Sequence, residues 1–212
     1  MARLAEFRPP AEPSSQRQRL NHERMLEAAA ELGAVNDFEH VQMQDVAKRA
    51  GVAIATLYRY FPSKTHLFVS VMLSEIAKMS EDLERRAAQT AHLSPVASAS
   101  DALTRALRAL LRRPLVASSI IYAVNAAHAT KMPGLSRIDS SFQTALLAST
   151  KLEFPTEQDL VIIRLLTQQW FAVVQSCLNG FITAAEAESD IVLACQLLLA
   201  PLSSVRQHRG EC

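Results

Sequence analysis

Two short helical periods that meet at a single glycine constrain this chain more than any other feature. Val46, Ala47 and Ala50 set one period over about 43–50, Leu57 sits inside a second over about 54–60, and only Gly51-Val52-Ala53 separates them. A turn that tight needs a residue tolerant of positive φ, which Gly51 supplies. Pro62 ends the second period, because proline inside a helix removes a hydrogen bond and clashes with the preceding turn. Ser63 can then cap a long helix that carries Leu67, Val71, Leu73, Ile76 and Leu83 toward Ala88. The remaining composition agrees with helices: Ala and Leu make 60 of 212 residues, 6% are aromatic and only 5 are Gly. The expected fold class is all-α.

The first residues, 1 to about 16, hold Pro9, Pro10 and Pro13 beside Ser14 and Ser15 and read as a flexible arm. A first helix follows from about Arg17 to Leu32, closed by Gly33. After the long helix, the stretch His92–Ser100 has Pro95, several serines and no apolar period, so it reads as a loop. Further helices are expected at about 101–112, 114–130, 135–152, 156–181 and 184–202, which gives nine in all. Pro114 suits a first helical turn, Pro133-Gly134 breaks the chain, and Thr156 and Thr183 open capping-box patterns with Asp159 and Glu186. The resulting organisation is an arm (1–16), a helix-turn-helix unit (17–62) and a helical remainder (63–212).

Charge and cysteine usage narrow the function classes. A net charge of +1 excludes coating of nucleic acid or anionic membrane by bulk electrostatics, so any DNA contact must be local. Cys177, Cys195 and Cys212 are odd in number and share no short spacing, which argues against a disulfide framework or zinc knuckle and for a reducing, cytoplasmic setting. No signal peptide and no membrane-spanning window is apparent, and no membrane partner is expected. The six histidines, at 22, 40, 66, 92, 128 and 208, lack ligand spacing, and there is no Gly-rich phosphate loop or nucleophile elbow. No catalytic residue, metal ligand or cofactor is therefore expected.

The run Gln42–Leu67, QMQDVAKRAGVAIATLYRYFPSKTHL, carries the functional signal. Ala47 is small where two helices cross, and Val46, Val52 and Leu57 anchor both from beneath, as a helix-turn-helix requires. Ile54, Ala55, Thr56, Tyr58, Arg59 and Tyr60 are expected to face outward, followed by Lys64, and they offer hydroxyls, a guanidinium and an ammonium to phosphates and base edges. By residue type alone, Tyr58, Tyr60 and Phe61 also fit an aromatic cluster under a helix hairpin. The wording Gly51-Val52, Thr56-Leu57-Tyr58, Tyr60-Phe61 and Lys64 resembles the DNA-binding domain of TetR-family transcriptional repressors. The resemblance implies that Gln42 lies near a phosphate at a helix start, that Thr56, Tyr58, Tyr60 and Lys64 grip the DNA backbone, and that Arg59, with Ile54 and Ala55, faces bases. Gln42 stands where that family commonly has Ser or Thr, and Ala53 where it has Ser, so Ala53 forgoes a side-chain cap at a cost of about 1 kcal/mol.

A narrower likeness runs through VQMQDVAKRAGVAIATLYRYFPSK, Arg113-Pro114-Leu115, Pro155-Thr156-Glu157, Arg164 and Trp170, and is similar to the KstR-type repressors of sterol and steroid catabolism. It implies a steroid-derived acyl-CoA as effector. Between Pro114 and Phe181 only 8 of 68 residues are charged, so helices there bury more than one face. Val116, Ile120, Val124, Phe142, Leu146 and Trp170 would surround a cavity in this fold, although each also fits plain core. Asn125, Gln143 and Gln169 are candidates to orient a ligand. Arg105, Arg108 and Arg112, with Arg113, form a basic stripe that fits either a solvated helix face or a phosphate-binding mouth. The apolar helices 156–181 and 184–202 suit a self-complementary four-helix interface or an intramolecular core. The expectation is a homodimeric repressor that binds palindromic double-stranded operator DNA and answers to an apolar effector. The alternative is a helical lipid or small-molecule carrier that never meets DNA; a helical enzyme has no residues to support it.

Overall fold

The computed structural model describes residues 11–86, 88–132, 136–152 and 154–209. Among them are nine α-helices and no strand: α1 (Gln16–Gly33), α2 (Met43–Ala50), α3 (Ile54–Tyr60), α4 (Lys64–Arg86), α5 (Pro95–Leu111), α6 (Pro114–Ala129), α7 (Ser136–Thr150), α8 (Glu157–Leu178) and α9 (Ala184–Arg209). Residues 1–10 of the expected arm and the Pro133-Gly134 break lie outside the described residues. Gln16, the last residue assigned to the arm, already belongs to α1, whose first turn is capped by the Ser15 side chain.

Local chemistry fixes the helix ends. Thr156 and Asp159 cap α8 reciprocally, and Thr183 and Glu186 do the same ahead of α9. The stretch expected as a loop to Ser100 is instead the first turns of α5. Ser94 accepts from the Ala97 N–H, and Pro95 occupies the first turn, where its missing N–H costs nothing. Ala99, Leu103 and Leu107 then enter the core. The serines hid an apolar period that alanine carries weakly. Gly33 ends α1 without left-handed backbone. Its role is close approach, since a Cβ there would stand 3.1 Å from the Phe68 ring of α4.

α1 packs on both α2 and α4, α3 packs on α2, and α4 also packs on α6 and α7, so one helix belongs to both halves. α5 lies on α7 and α9, and α8 lies on α9. The buried apolar side chains form one continuous cluster from Met25 to Leu199. Trp170 is fixed within it by an indole N–H donated to the Leu103 carbonyl at 3.1 Å. α8 is long and apolar enough to resemble a membrane span, and a third of its most apolar window is buried in the core.

Candidate recognition helix and effector cavity

The turn between α2 and α3 is held by Gly51 at φ 68, whose N–H caps α2, and by the Val52 N–H donated to Ala47 O at 3.0 Å. The left-handed backbone is what favours glycine there; a Cβ on Gly51 would meet only the tip of the Arg24 side chain, at 3.1 Å. Val46, Ala47 and Leu57 are buried beneath the hairpin. Neither Gln42 nor Ala53 makes a side-chain cap, although each stands at a helix N-cap. The chain before α1 serves the other end of α3: Ala11 N–H donates to Arg59 O at 3.0 Å, satisfying a carbonyl that the helix end leaves open.

Gln42, Ile54, Ala55, Tyr58 and Arg59 are exposed, and Thr56 is half-buried. Tyr58 is 47% exposed, whereas Tyr60 is 3% exposed. Tyr60 therefore does not face outward as expected. Its position in the short α3 turns it inward, edge-on to His22 of α1 with ring centroids 5.7 Å apart, and its hydroxyl accepts from Arg59 Nη2 at 2.8 Å. Lys64 also differs from an open phosphate hook. Its ammonium donates to Glu39 O at 3.0 Å and Val41 O at 3.1 Å and lies 4.6 Å from the Phe38 ring centre, fastening the loop before α2 to the start of α4. Burial beside Tyr60 and Phe61 lowers the His22 pKa below the ordinary histidine value, against the weaker pull of Glu23.

Two struts join this unit to the rest. Arg113, just before α6, donates to Ala30 O at 2.7 Å. Phe38 packs on Tyr122 of α6 with ring centroids 4.7 Å apart, and the Tyr122 hydroxyl bonds Glu39, which holds the phenol pKa above its ordinary value.

The larger cavity, about 620 Å³, opens between α4 and α5. Met72, Ile76 and Met79 line one wall, Ala102 and Ala106 the other, and Phe142 and Trp170 form its floor, with ring centroids 4.8 Å apart. Its rim carries Lys78, Arg85, Arg86, Arg105, Arg108 and Arg112 against the carboxylates of Glu75 and Asp82. Asp82 meets Arg85 at 3.2 Å, Arg86 at 3.1 Å and Arg105 at 3.4 Å. Burial pushes its carboxyl up, but these guanidiniums outweigh that and hold it below the ordinary aspartate value. Arg105 also pairs with Asp101, and Arg108 grips Glu188 of α9 through two bonds at 2.7 and 2.6 Å.

A smaller cavity of about 360 Å³ between α6, α7 and α8 is lined by Val124, Asn125, His128, Gln143, Arg164 and Phe171, among others. The six candidate ligand residues are thus divided. Phe142 and Trp170 floor the larger cavity and Val124 lines the smaller, while Val116, Ile120 and Leu146 line neither and are buried. Gln169 is exposed and lines neither. The α4 wall was not anticipated, because Met72, Ile76 and Met79 repeat at the same spacing as core residues.

An apolar stripe runs along the outside of α8 and α9. Leu160, Val161 and Leu165 are exposed on α8, and Val192, Leu193 and Leu197 on the α9 packed beside it, the last 69% exposed.

Comparison with known proteins matches this arrangement. Residues 25–71 match the model for bacterial regulatory proteins of the tetR family, and residues 93–198 match a tetracyclin repressor-like C-terminal domain. The HTH-type transcriptional repressor KstR of Rhodococcus jostii is 30% identical over 186 residues, which cover 88% of this chain and 86% of that protein. Among solved structures, a TetR transcriptional regulator from Rhodococcus sp. RHA1 is 47% identical with a TM-score of 0.81, covering 89% of this chain and all of that one. Thermus thermophilus FadR, a TetR-family repressor solved with lauroyl-CoA, shares the fold at 20% identity and a TM-score of 0.58, over 84% of this chain and 93% of its own. With both halves matched, and with the helix hairpin and helical core in that order, the chain belongs to the TetR family of DNA-binding transcriptional regulators, which are not enzymes.

Proposed function

We propose that this regulator is a cytoplasmic homodimeric repressor of palindromic operator DNA, modulated by an amphiphilic effector, a steroid-type acyl-CoA, held between α4 and α5. One observation carries the effector reading: an aromatic-floored cavity of about 620 Å³ with a cationic rim. That volume lies within the roughly 300–1,000 Å³ that holds small organic ligands. Methionine walls adapt to a rigid apolar body, and the guanidiniums left over around Asp82 suit an anionic end that stays near solvent. The relatives support the same class, one named a KstR repressor and one solved with an acyl-CoA.

The dimer reading rests on the apolar stripe of α8 and α9, which is larger than isolated exposed leucines and lies on two packed helices. In a two-fold dimer, each α3 would enter one of two successive major grooves about 34 Å apart. Coupling follows from α4. Met72, Ile76 and Met79 face the cavity on the same helix that begins with Lys64, so a ligand that displaces α4 would shift the loop before α2. Effector and operator then compete through two dimer conformations, each ligand favouring one. The test is titration of the purified dimer, bound to DNA selected from a random-sequence pool, with a steroid CoA thioester and with the free acid. The thioester should release DNA at lower concentration than the acid. No response of either DNA affinity or thermal stability would remove the steroid thioester from this account.

A further inference from the structure

Arg59 stands on a helix of only 7 residues, where a long flexible side chain would ordinarily sample many rotamers. Here two contacts to the next residue restrain it. Its guanidinium carbon lies 4.9 Å from the centre of the Tyr60 ring, and its Nη2 donates to the Tyr60 hydroxyl at 2.8 Å. Tyr60 is itself immobilised, at 3% exposure, by His22 edge-on at 5.7 Å and by Phe61. Arg59 is also held through its backbone, because its carbonyl accepts from Ala11.

We infer that Tyr60 is a positioning residue for DNA reading: its buried ring and hydroxyl hold the Arg59 guanidinium in one orientation before DNA arrives. The inference rests on the reading of Arg59 as the base-contacting residue. A guanidinium forks five N–H donors, so a single bond to Tyr60 leaves enough to span the two acceptors of a guanine edge. Fixing the fork beforehand lowers the ordering cost at binding and penalises base pairs whose acceptors lie elsewhere. A phosphate contact needs no such restraint, since a phosphate accepts from many directions. This accounts for a tyrosine, rather than a phenylalanine, at a position whose ring is enclosed.

The experiment selects binding sites from a random-sequence duplex pool with full-length wild type, Arg59→Ala, Tyr60→Phe and the double variant. Thermal midpoints and salt slopes are measured on the same preparations. Tyr60→Phe should flatten base preference at the positions that Arg59→Ala flattens, by threefold or more. The double variant should add nothing beyond Arg59→Ala, and the salt slope of Tyr60→Phe should stay at the wild-type value. If Tyr60→Phe keeps full preference at those positions, the positioning role is overturned while base reading by Arg59 stands. A uniform loss of affinity with a lowered thermal midpoint would show a purely structural tyrosine and also overturn it. A salt slope reduced by about 1 would show that Tyr60 holds the Arg59 guanidinium on a phosphate rather than on a base edge, and would overturn it as well. If Arg59→Ala changes no position, base reading and the inference fall together.

Discussion

The α2–α3 hairpin and the α4/α5 cavity both serve recognition, and they are built in opposite ways. Around the hairpin, fixed contacts restrain each part: a left-handed glycine, Lys64 on two carbonyls, Ala11 on the end of α3, and Tyr60 on Arg59. Around the cavity the walls are methionine and alanine, and the rim is a set of ion pairs in which three guanidiniums share Asp82. The difference follows from the targets. A DNA groove presents a fixed spacing of acceptors, which rewards a rigid reader. An effector has only to favour one of two protein conformations, which needs a wall able to yield.

The largest expected effect breaks the frame that both regions share. Leu197→Glu, alone or with Leu165→Glu, should give folded monomer in sedimentation velocity at micromolar concentration. Operator affinity should fall by 100-fold or more, because unpaired charges buried in an apolar interface cost about 3–5 kcal/mol. Its neighbour Leu198 is half-buried against the protomer's own core, so a charge there would confound dimerisation with folding. If the double variant remains dimeric, α8 and α9 are not the interface.

Filling the cavity tests the yielding half alone. Ala106→Trp, placed on the α5 wall, should abolish calorimetric binding of a steroid CoA thioester and leave operator affinity within a few-fold of wild type. The rigid half is tested by Arg59→Ala, expected to cost about 1–3 kcal/mol of operator binding with relaxed base preference. Lys64→Ala removes two hydrogen bonds to backbone carbonyls and should lower stability by about 1–3 kcal/mol, with the thermal midpoint falling. An unchanged midpoint with a salt slope smaller by about 1 would instead make Lys64 a phosphate ligand.

The smallest effect is a pH dependence. His22 and His66 both have pKa values lowered by burial from 6.5, so the folded state binds fewer protons than the unfolded chain between the depressed values and 6.5. Stability from these groups is therefore full above 6.5 and is lost as pH falls through that window, levelling off below the folded values. His22→Phe, which keeps a ring against Tyr60 and Phe61, should flatten part of that slope in denaturant titrations.

How far the sequence could be read differed between the two regions for the same reason. Hairpin chemistry is local: Gly51, Pro62 and the aromatic run fix their own neighbourhood, so α2 and α3 were legible residue by residue. Tyr60 and Lys64 depart most from the expected outward placement, because their partners, His22 and the carbonyls of Glu39 and Val41, are distant in sequence. Cavity and core, by contrast, use the same residues at the same spacing. Nothing in the periodicity of Val116, Ile120 and Leu146 separates them from Phe142 and Trp170; only the gap left between α4 and α5 puts the latter pair at a void. The start of α5 was missed because serine and alanine carry its apolar face so faintly.

The coupling of cavity to hairpin through α4 is the central claim, and one titration addresses it most directly. Fluorescence anisotropy of labelled, selected DNA is followed as a steroid CoA thioester is added to wild type and to Ala106→Trp. The account predicts a shift in DNA affinity of at least tenfold in wild type and none in Ala106→Trp. An equal shift in both proteins would place the effector elsewhere and contradict it.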